Sequence, residues 1–480
     1  MWGEMTSTSE TKFSVWALMA MVVGSMVGAG IFSLPQGFGR VTGPFGALIA
    51  WSIAGVGMLM LAFVFQVLSR RKPDLDAGIY AYAKAGFGNY LGFLSALGYW
   101  SAACLGNVSY FVLIKSTLGL FFPVFGDGNT VIAVVASSVI LWSFHTLILK
   151  GVKGAASINT IVTFAKIIPI LLFIVFVIYG FKADVFALNF WGGEDVSFSN
   201  IASQVRGTML VTVFVFVGIE GASVYSRYAR NRNDVGVATV VGFLGVLCLL
   251  VLVTILSYGV MLRTDLAQLR NPSMAGVLEA VVGPWGAIFV SFGLLISVLG
   301  AYLSWVLLAA EILFSASKYE TMPRFLSHEN KNGVPSHALW LTNIIVQSFL
   351  IITLFTEYAF RLAIELTSSM ILIPYLLVAA YGFKLAWTGE TYDRDPAGHR
   401  TDLIRGLVAL IYTSGLIYAA GAKHLLLSLV LYGPGTILFI MARREQGRKV
   451  FTPTEMIMFA IAALGAAIAI FGIATGRITI

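Results

Sequence analysis

The segment Gly24–Pro35 reads Gly-Ser-Met-Val-Gly-Ala-Gly-Ile-Phe-Ser-Leu-Pro and interrupts an apolar stretch that begins near Phe13. Its glycines, Gly24, Gly28 and Gly30, each lower helix propensity by about 1 kcal/mol relative to alanine. In a bilayer, backbone that leaves a helix must be buried in protein or line a wet cavity, because lipid satisfies neither N–H nor C=O groups. The segment therefore predicts either a broken transmembrane helix with a ligand site or a glycine face for helix packing.

A second interruption, halfway down the chain, favours the broken helix. It reads Gly218-Ile-Glu-Gly-Ala-Ser223 and follows the first interruption by five predicted spans. An odd offset of five places the two halves in opposite orientations, which is the inverted-repeat arrangement of secondary transporters. We expect residues 1–180 to form the first repeat with spans 1–5, residues 202–388 the second with spans 6–10, and residues 403–480 the accessory C-terminal spans.

The composition predicts a polytopic membrane protein. Of 480 residues, 58% are hydrophobic and 11% are charged, and the mean hydropathy is +0.87, whereas a soluble domain carries about 25% charged residues. The formal net charge of +8 is spread over short loops and forms no basic stripe, so nucleic acid is not expected as a partner. The two cysteines lie in apolar runs and the histidines show no metal-ligand spacing, so we expect no disulfide framework, no metal and no cofactor.

A transmembrane helix needs about 20 apolar residues. By this length the sequence predicts thirteen spans, or twelve if the chain does not turn at 421–424. Most of the 31 Lys and Arg residues fall in alternate connections, which places the N-terminus in the cytoplasm. The predicted spans are 14–34, 45–68, 88–120, 131–149, 155–180, 202–225, 236–262, 284–317, 338–356, 360–388, 403–421, 424–441 and 453–475.

Short motifs cluster at and around the two breaks. They are Gly28-Ala-Gly30-Ile-Phe with Leu34-Pro35, Tyr99-Trp100 with Gly106-Asn107, Gly218-Ile-Glu220-Gly-Ala-Ser223, Trp305, and Pro374-Tyr375. Together they resemble the amino acid–polyamine–organocation (APC) superfamily and, within it, the basic amino acid/polyamine antiporters, most of all the arginine/ornithine antiporters. The resemblance implies an all-α, multi-pass protein of the inner or plasma membrane. Its fold would be a 5+5 inverted-repeat, LeuT-like transporter core with discontinuous spans 1 and 6 and 12–13 transmembrane helices.

The resemblance also implies a substrate site at the breaks. The substrate's α-carboxylate would lie on N–H groups around Gly28, Ala29 and Gly30, at an exposed helix N-terminus. The family often has serine at the position of Ala29, so a hydroxyl contact is missing and the backbone must suffice. The α-ammonium would meet carbonyl groups of Met26, Phe214 and Val217. Phe214 is also the position of an aromatic gate in the family, although a phenylalanine there could equally be a core residue.

The distal cation of the substrate is expected on the other side of the site. Trp305 is close to mid-span, where these antiporters stack a cation on an indole ring, although tryptophan also serves as an interfacial anchor. Asn107 matches a position that hydrogen-bonds a guanidinium group, with helix–helix packing as the alternative. The remaining positions implied by the resemblance are the carbonyl groups of Ala102 and Ala103 and the hydroxyl group of Thr367.

Glu220 is a carboxylate in the middle of a span, which is costly and by default indicates function. In the family this residue binds a cation or changes protonation within a gate, and its partners here would be Tyr99 and Tyr375. The structural alternative is an ion pair with Arg206, four turns earlier on the same helix.

Three further charges lie within spans. Lys166 would brace the broken span 1 at the place that sodium takes in sodium-driven relatives, with snorkelling of its ammonium group as the alternative. Glu311, six residues past Trp305, is a second candidate for a proton-coupled role. Lys115 has no evident role, since a lysine near a cationic substrate would repel it, and its ammonium group could snorkel outward instead.

These features predict a secondary active transporter that exchanges cationic amino acids, with arginine entering and ornithine leaving by alternating access. The alternatives are a lysine or polyamine/precursor antiporter, for which agmatine is one substrate, and a proton-coupled amino acid symporter. An enzyme is not expected, because the spans offer neither a nucleophile nor a metal set, and no repeated pore motif indicates a channel. The partners are small cationic amino acids and the lipid bilayer, and by analogy with the family the chain forms a homodimer.

Overall fold

The computed structural model describes residues 14–75, 78–151, 155–193, 196–221, 229–355, 359–393 and 395–478. These residues form α-helices and short turns, and no β-strand occurs among them. The helices are α1 (Val15–Met26), α2 (Ala29–Gly39), α3 (Pro44–Arg71), α4 (Ile79–Phe87), α5 (Asn89–Phe121), α6 (Val131–Leu149), α7 (Ala155–Tyr179), α8 (Ala183–Asn189), α9 (Phe198–Phe216), α10 (Arg232–Ser257), α11 (Arg263–Gln268), α12 (Ser273–Val282), α13 (Pro284–Lys318), α14 (Ser336–Ile352), α15 (Ala359–Thr388), α16 (His399–Glu445) and α17 (Pro453–Ala474).

The first span is broken where the sequence predicts it. Helix α1 starts at the cap Ser14, whose hydroxyl accepts a hydrogen bond from the Ala17 N–H at 3.3 Å, and it ends at Met26. Val27 and Gly28 leave the helical conformation, with φ/ψ of −80°/84° and −119°/−141°. Helix α2 then continues at an angle of 44° to α1. Gly28 has no side chain that would hinder this bend. The pattern of glycines therefore predicts the position of the break.

The second break follows the same logic. Helix α9 ends at Phe216, Val217 turns away from the helix, and Gly218 takes a positive φ of 112°. Ser223 and the predicted end of span 6 lie outside the described residues. The two breaks are thus a pair of non-helical segments in the predicted spans 1 and 6.

In the described part of the chain, nine helices are long and apolar enough to cross a membrane, or eleven if each of two bent pairs counts as one span. Helix α16 holds 47 residues, and one straight helix of that number would be about 70 Å long, more than twice the thickness of the bilayer core. It is interrupted at Gly421, where φ is 73° and ψ is 170°. The turn predicted at 421–424 is therefore present, and α16 supplies two of the predicted spans.

The helices around the breaks form one core. Helix α2 packs on α9, α1 packs on α7, α10 and α13, and α5 packs on α13 and α15. Helix α15 also packs on α9 and on α16. The packing brings the breaks of spans 1 and 6 against α5, α13 and α15, which carry the remaining predicted site residues except Lys166, and Lys166 lies on α7, against α1.

We expect Gly218→Ala to destabilise the protein by about 2 kcal/mol, the cost of holding a side chain at such a backbone angle. The added Cβ would also lie 2.8 Å from the Cβ of Ser25 and 2.9 Å from its backbone carbon. The measurement is the melting temperature of the detergent-solubilised protein. Gly245→Ala is the control, because a Cβ there meets no atom within 4 Å. Equal melting temperatures for the two variants would contradict the expectation.

Candidate functional site

The two breaks touch each other through the hydroxyl group of Ser25. Its Oγ lies 2.9 Å from the carbonyl oxygen of Gly218 and 2.8 Å from that of Met21, one turn back in α1. The same Oγ would be 2.9 Å from a Cβ on Gly221. The backbones of spans 1 and 6 therefore approach so closely that only glycines fit on the side of span 6.

The carbonyl end of α1 finds its partners outside the helix. The last carbonyl groups of a helix have no intrahelical donor. The ammonium group of Lys166 on α7 donates to the Gly24 carbonyl, and the indole N–H of Trp305 on α13 donates to that of Ser25 at 3.1 Å. The Met26 carbonyl accepts from the N–H of Gly28 at 3.0 Å. Lys166 is 1% exposed, so its ammonium group does not snorkel but lies against the break.

The opposite side of the break is the N-terminus of α2. Ala29 and Gly30 are its first residues, and the first N–H groups of a helix point outward without an intrahelical acceptor. The macrodipole adds a partial positive charge at this end. A Cβ on Gly30 would lie 2.6 Å from Cγ1 of Val215 and 3.0 Å from Phe214, so the last turn of α9 packs over these N–H groups. The arrangement suits an anion.

A narrow cavity of about 20 Å³ lies between the two breaks and α5, α13 and α15. Such a volume holds about one water molecule, so its walls must move apart to admit an amino acid. Of the predicted substrate-binding residues, those that line it are Met26, Gly28, Ala29, Gly30, Ala102, Ala103, Phe214, Val217, Trp305 and Thr367. Asn107 and Glu220 are not on its walls. Sequence reasoning missed Ser25, Gly106, Tyr110 and Val215.

The polar residues of the site differ in how they are held. Trp305 is 5% exposed, and its ring is 6.2 Å from that of Tyr99, centroid to centroid. The hydroxyl of Thr367 donates to the Ala363 carbonyl of its own helix at 2.7 Å. Asn107 is fully buried, and neither atom of its amide has a hydrogen-bond partner among the described residues. Trp305 is therefore fixed inside the site rather than at the membrane interface.

Glu220, Tyr99 and Tyr375 form a fully buried cluster beside the cavity. The Tyr99 hydroxyl donates to Oε1 of Glu220 at 2.6 Å, and the Tyr375 hydroxyl donates to Oε2 at 2.8 Å. The N–H of Gly218 adds a contact to Oε2 at 3.3 Å. All three are donors, as an acceptor-only carboxylate requires. The predicted gate residues are thus joined across spans 3, 6 and 10.

The other predicted charges lie apart from this cluster. Arg206 is exposed, with its guanidinium carbon 5.2 Å from the ring centre of Tyr418, so the alternative pair with Glu220 is not formed. Glu311 accepts from the Ser315 hydroxyl at 3.4 Å, outside the cavity and the gate. Lys115 is 1% exposed and donates to the Thr353 hydroxyl at 2.9 Å, so it does not snorkel outward.

A wide vestibule of about 610 Å³ lies next to the cavity. Along α5 the chain passes from the gate at Tyr99 through the cavity to the vestibule at Ser116, and along α15 it passes from the vestibule at Ile364 to the gate at Tyr375. In α9, Val211 lines the vestibule and Phe214, one turn later, lines the cavity. The cavity is therefore one helical turn from open space on one side and closed by buried residues on the other.

The part of the chain that the structure describes contains no group of three or more His, Cys, Asp or Glu side chains that could hold a metal ion. The polar atoms around the cavity are backbone N–H and C=O groups, hydroxyl groups and the indole N–H. Such a set can bind the carboxylate and ammonium groups of a zwitterion without a cofactor.

Known proteins resemble the chain over nearly its whole length. The amino acid permease family matches residues 13–479. The arginine/ornithine antiporter of Pseudomonas aeruginosa is 54% identical, over 99% of this chain and 100% of the relative. The L-lysine transport protein of Corynebacterium glutamicum is 42% identical, over 99% of this chain and 97% of the relative. The solved structure of MhsT in complex with L-phenylalanine matches at a TM-score of 0.62 and 14% identity, over 86% of this chain and 100% of that one, which shows a shared fold.

Proposed function

The chain belongs to the amino acid permease family, and from this we propose that it exchanges cationic amino acids across a membrane, with arginine entering and ornithine leaving. The observation that carries the proposal is the full-length match at 54% identity to an arginine/ornithine antiporter. The cavity between two broken spans supports it, because it offers a site for a zwitterion at the centre of a transporter fold. A single site used in turn by two cations of equal charge makes the exchange electroneutral.

Within the proposal, each part of the substrate has its own partners. The α-carboxylate lies on the N–H groups of Ala29 and Gly30 at the start of α2. The α-ammonium meets carbonyl groups at the breaks, including that of Val217. The distal cation stacks on Trp305, and the amide of Asn107, which has no described partner, turns toward it. A buried amide oxygen without a donor is costly, so a guanidinium or ammonium group that donates to Oδ1 of Asn107 gains affinity.

Alternating access follows from the two ends of the site. The vestibule admits the substrate once Phe214 moves, and the cluster of Glu220, Tyr99 and Tyr375 blocks the other end. Opening that cluster requires Glu220 to exchange its tyrosine donors for a new partner, and the substrate's cation or a proton can serve. With the N-terminus in the cytoplasm, the vestibule faces outward. The two repeats, residues 1–180 and 202–388, then rock against each other around the breaks, and the family analogy adds a homodimer.

Lys166 bears on the driving force. Its ammonium group donates to the Gly24 carbonyl at the end of α1. A positive charge of the protein therefore already satisfies the carbonyl end of the helix, where a bound cation could otherwise do so. We therefore propose that transport does not depend on sodium, and that the gradient of the counter-substrate drives uptake.

The test is uptake of radiolabelled arginine into sodium-free proteoliposomes preloaded with ornithine, lysine, agmatine or nothing. We expect uptake only into preloaded vesicles and the fastest uptake with ornithine, because exchange requires a substrate on both sides. Empty liposomes without protein are the control. Uptake into vesicles without counter-substrate under an imposed pH gradient would overturn the exchanger in favour of a proton-coupled symporter.

Lysine exchange is the second candidate, and the 42% identical L-lysine transport protein favours it. The same preloaded vesicles separate the two functions. Lysine that is exchanged faster than either arginine or ornithine would assign the protein to lysine transport.

A further inference from the structure

We propose that the hydroxyl group of Tyr110 binds the α-carboxylate of the substrate, in place of the hydroxyl group that Ala29 does not supply. The inference rests on the proposed function and assigns a selectivity role to a residue that the sequence analysis did not single out. Tyr110 lies on α5, one turn after Asn107 and two turns after Ala103, so the three residues share a helix face.

The geometry places the hydroxyl group at the start of α2. A Cβ built on Gly28 would lie 2.6 Å from the Tyr110 hydroxyl oxygen, and the ring lines the cavity. Gly28 is the residue that precedes the first turn of α2. A larger residue at position 28 would displace the tyrosine, so the glycine and the tyrosine fit each other. The hydroxyl group therefore points to the place where the helix N-terminus presents its N–H groups.

The hydroxyl group is also free to act. Tyr110 is 6% exposed and lines the cavity, and no hydrogen bond joins its hydroxyl group to a residue of the described ranges. The oxygen is not among the enclosed polar atoms that lack a partner, so it borders the open space of the cavity. A hydroxyl group on a cavity wall is available to a ligand or to water, whereas the phenols of the gate, Tyr99 and Tyr375, are already bonded to Glu220. A substrate carboxylate would supply the missing acceptor.

Three donors then converge on one carboxylate. The N–H groups of Ala29 and Gly30 come from the backbone and do not depend on the side chain there. The Tyr110 hydroxyl group approaches from α5, across the cavity. A carboxylate has two oxygens with room for about four hydrogen bonds, so the three donors do not compete. The consequence is a preference for amino acids over the amines that remain after decarboxylation.

The experiment compares a carboxylated with a decarboxylated ligand. Tyr110→Phe removes only the hydroxyl group. We expect the arginine concentration for half-maximal exchange to rise about 10-fold, as for the loss of a hydrogen bond to a charged group. Inhibition of arginine exchange by agmatine, which has no carboxylate, should change less than about 2-fold in the same variant. Equal weakening for both ligands, or no weakening for arginine, would overturn the inference.

Two further variants make the result specific. Tyr412→Phe is the matched control, because Tyr412 is buried, its hydroxyl group also has no partner among the described residues, and it does not line the cavity. Ala29→Ser in the Tyr110→Phe background restores a hydroxyl group to the helix N-terminus and should recover arginine affinity. If Tyr110→Phe does not fold, Ala29→Ser in the wild-type background is the second variant. We expect it to lower the arginine concentration for half-maximal exchange and to leave inhibition by agmatine unchanged; an equal effect on both ligands, or no effect on arginine, would count against the inference.

Failure of the proposed function gives a different pattern. If the wild-type protein exchanges another amino acid and not arginine, the function is wrong, while Tyr110 can still be tested with that amino acid and its own decarboxylated amine. If arginine is exchanged and Tyr110→Phe treats arginine and agmatine alike, the function stands and only the role of Tyr110 is wrong.

Discussion

Glu220→Gln is expected to lower the rate of arginine exchange by about 100-fold or more while the protein remains folded. Glutamine keeps the shape of the side chain but loses its charge. One of its two ends becomes an NH2 donor, which faces a tyrosine hydroxyl group that now donates to glutamate. Without the carboxylate, neither a cation nor a proton can take the place of the two tyrosine hydroxyl groups. The gate therefore stays closed or opens without coupling to the substrate.

The measurement is counterflow of radiolabelled arginine in ornithine-loaded proteoliposomes, with reconstituted protein quantified in each sample. Glu279→Gln is the control, because Glu279 is an exposed carboxylate of α12 far along the chain from both breaks. Exchange by Glu220→Gln at the rate of Glu279→Gln would show that the buried carboxylate has a structural role alone.

Lys166→Met is expected to lower the rate of arginine exchange by a similar factor, because the lysine stabilises the bent backbone between α1 and α2. Methionine is long and apolar, so it fills the space but leaves the Gly24 carbonyl without the donor that now satisfies it. A buried carbonyl without a partner costs about 1–3 kcal/mol, and the loss falls on the break itself. We expect the substrate-competent bend between α1 and α2 to become a minor conformation.

Exchange assays with and without sodium test this directly. Lys182→Met, at an exposed lysine before α8, should behave as the wild type in both conditions. Recovery of Lys166→Met by sodium would show that the ammonium group stands in for a bound cation. If Lys166→Met exchanges arginine at the wild-type rate without sodium, the bend between α1 and α2 does not need the ammonium group.

Much of the architecture can be predicted from the sequence because the breaks have a local cause. Gly28 and Gly218 interrupt apolar stretches, and a bilayer tolerates such interruptions only in a protein interior. Glu220 follows from the cost of a buried charge, and its tyrosine partners follow from the resemblance. The turn predicted at 421–424 leaves twelve spans as an alternative, and the structure interrupts α16 at Gly421, a residue for which a positive φ costs little.

The other site residues depend on contacts between distant segments. Ser25 looks like any small residue in a glycine-rich helix, and only the approach of Gly218 gives its hydroxyl group a role. Tyr110 is one of 18 tyrosines, and its type carries no signal. Its spacing from Ala103 and Asn107 does, because residues three and seven positions apart share a helix face. Lys115 finds Thr353 across the interface of α5 and α14, which no sequence pattern foretells.

The break at Gly421 has a consequence for the way the chain enters the membrane and for the way such chains evolve. The two halves of α16 are joined by one non-helical residue, so almost no hydrophilic chain has to be carried across the bilayer between them. The insertion machinery can take them as a single helical hairpin. A hairpin that enters as a unit returns the chain to the side from which it started. A gene can therefore gain or lose such a pair of spans without changing the membrane orientation of the segment that follows.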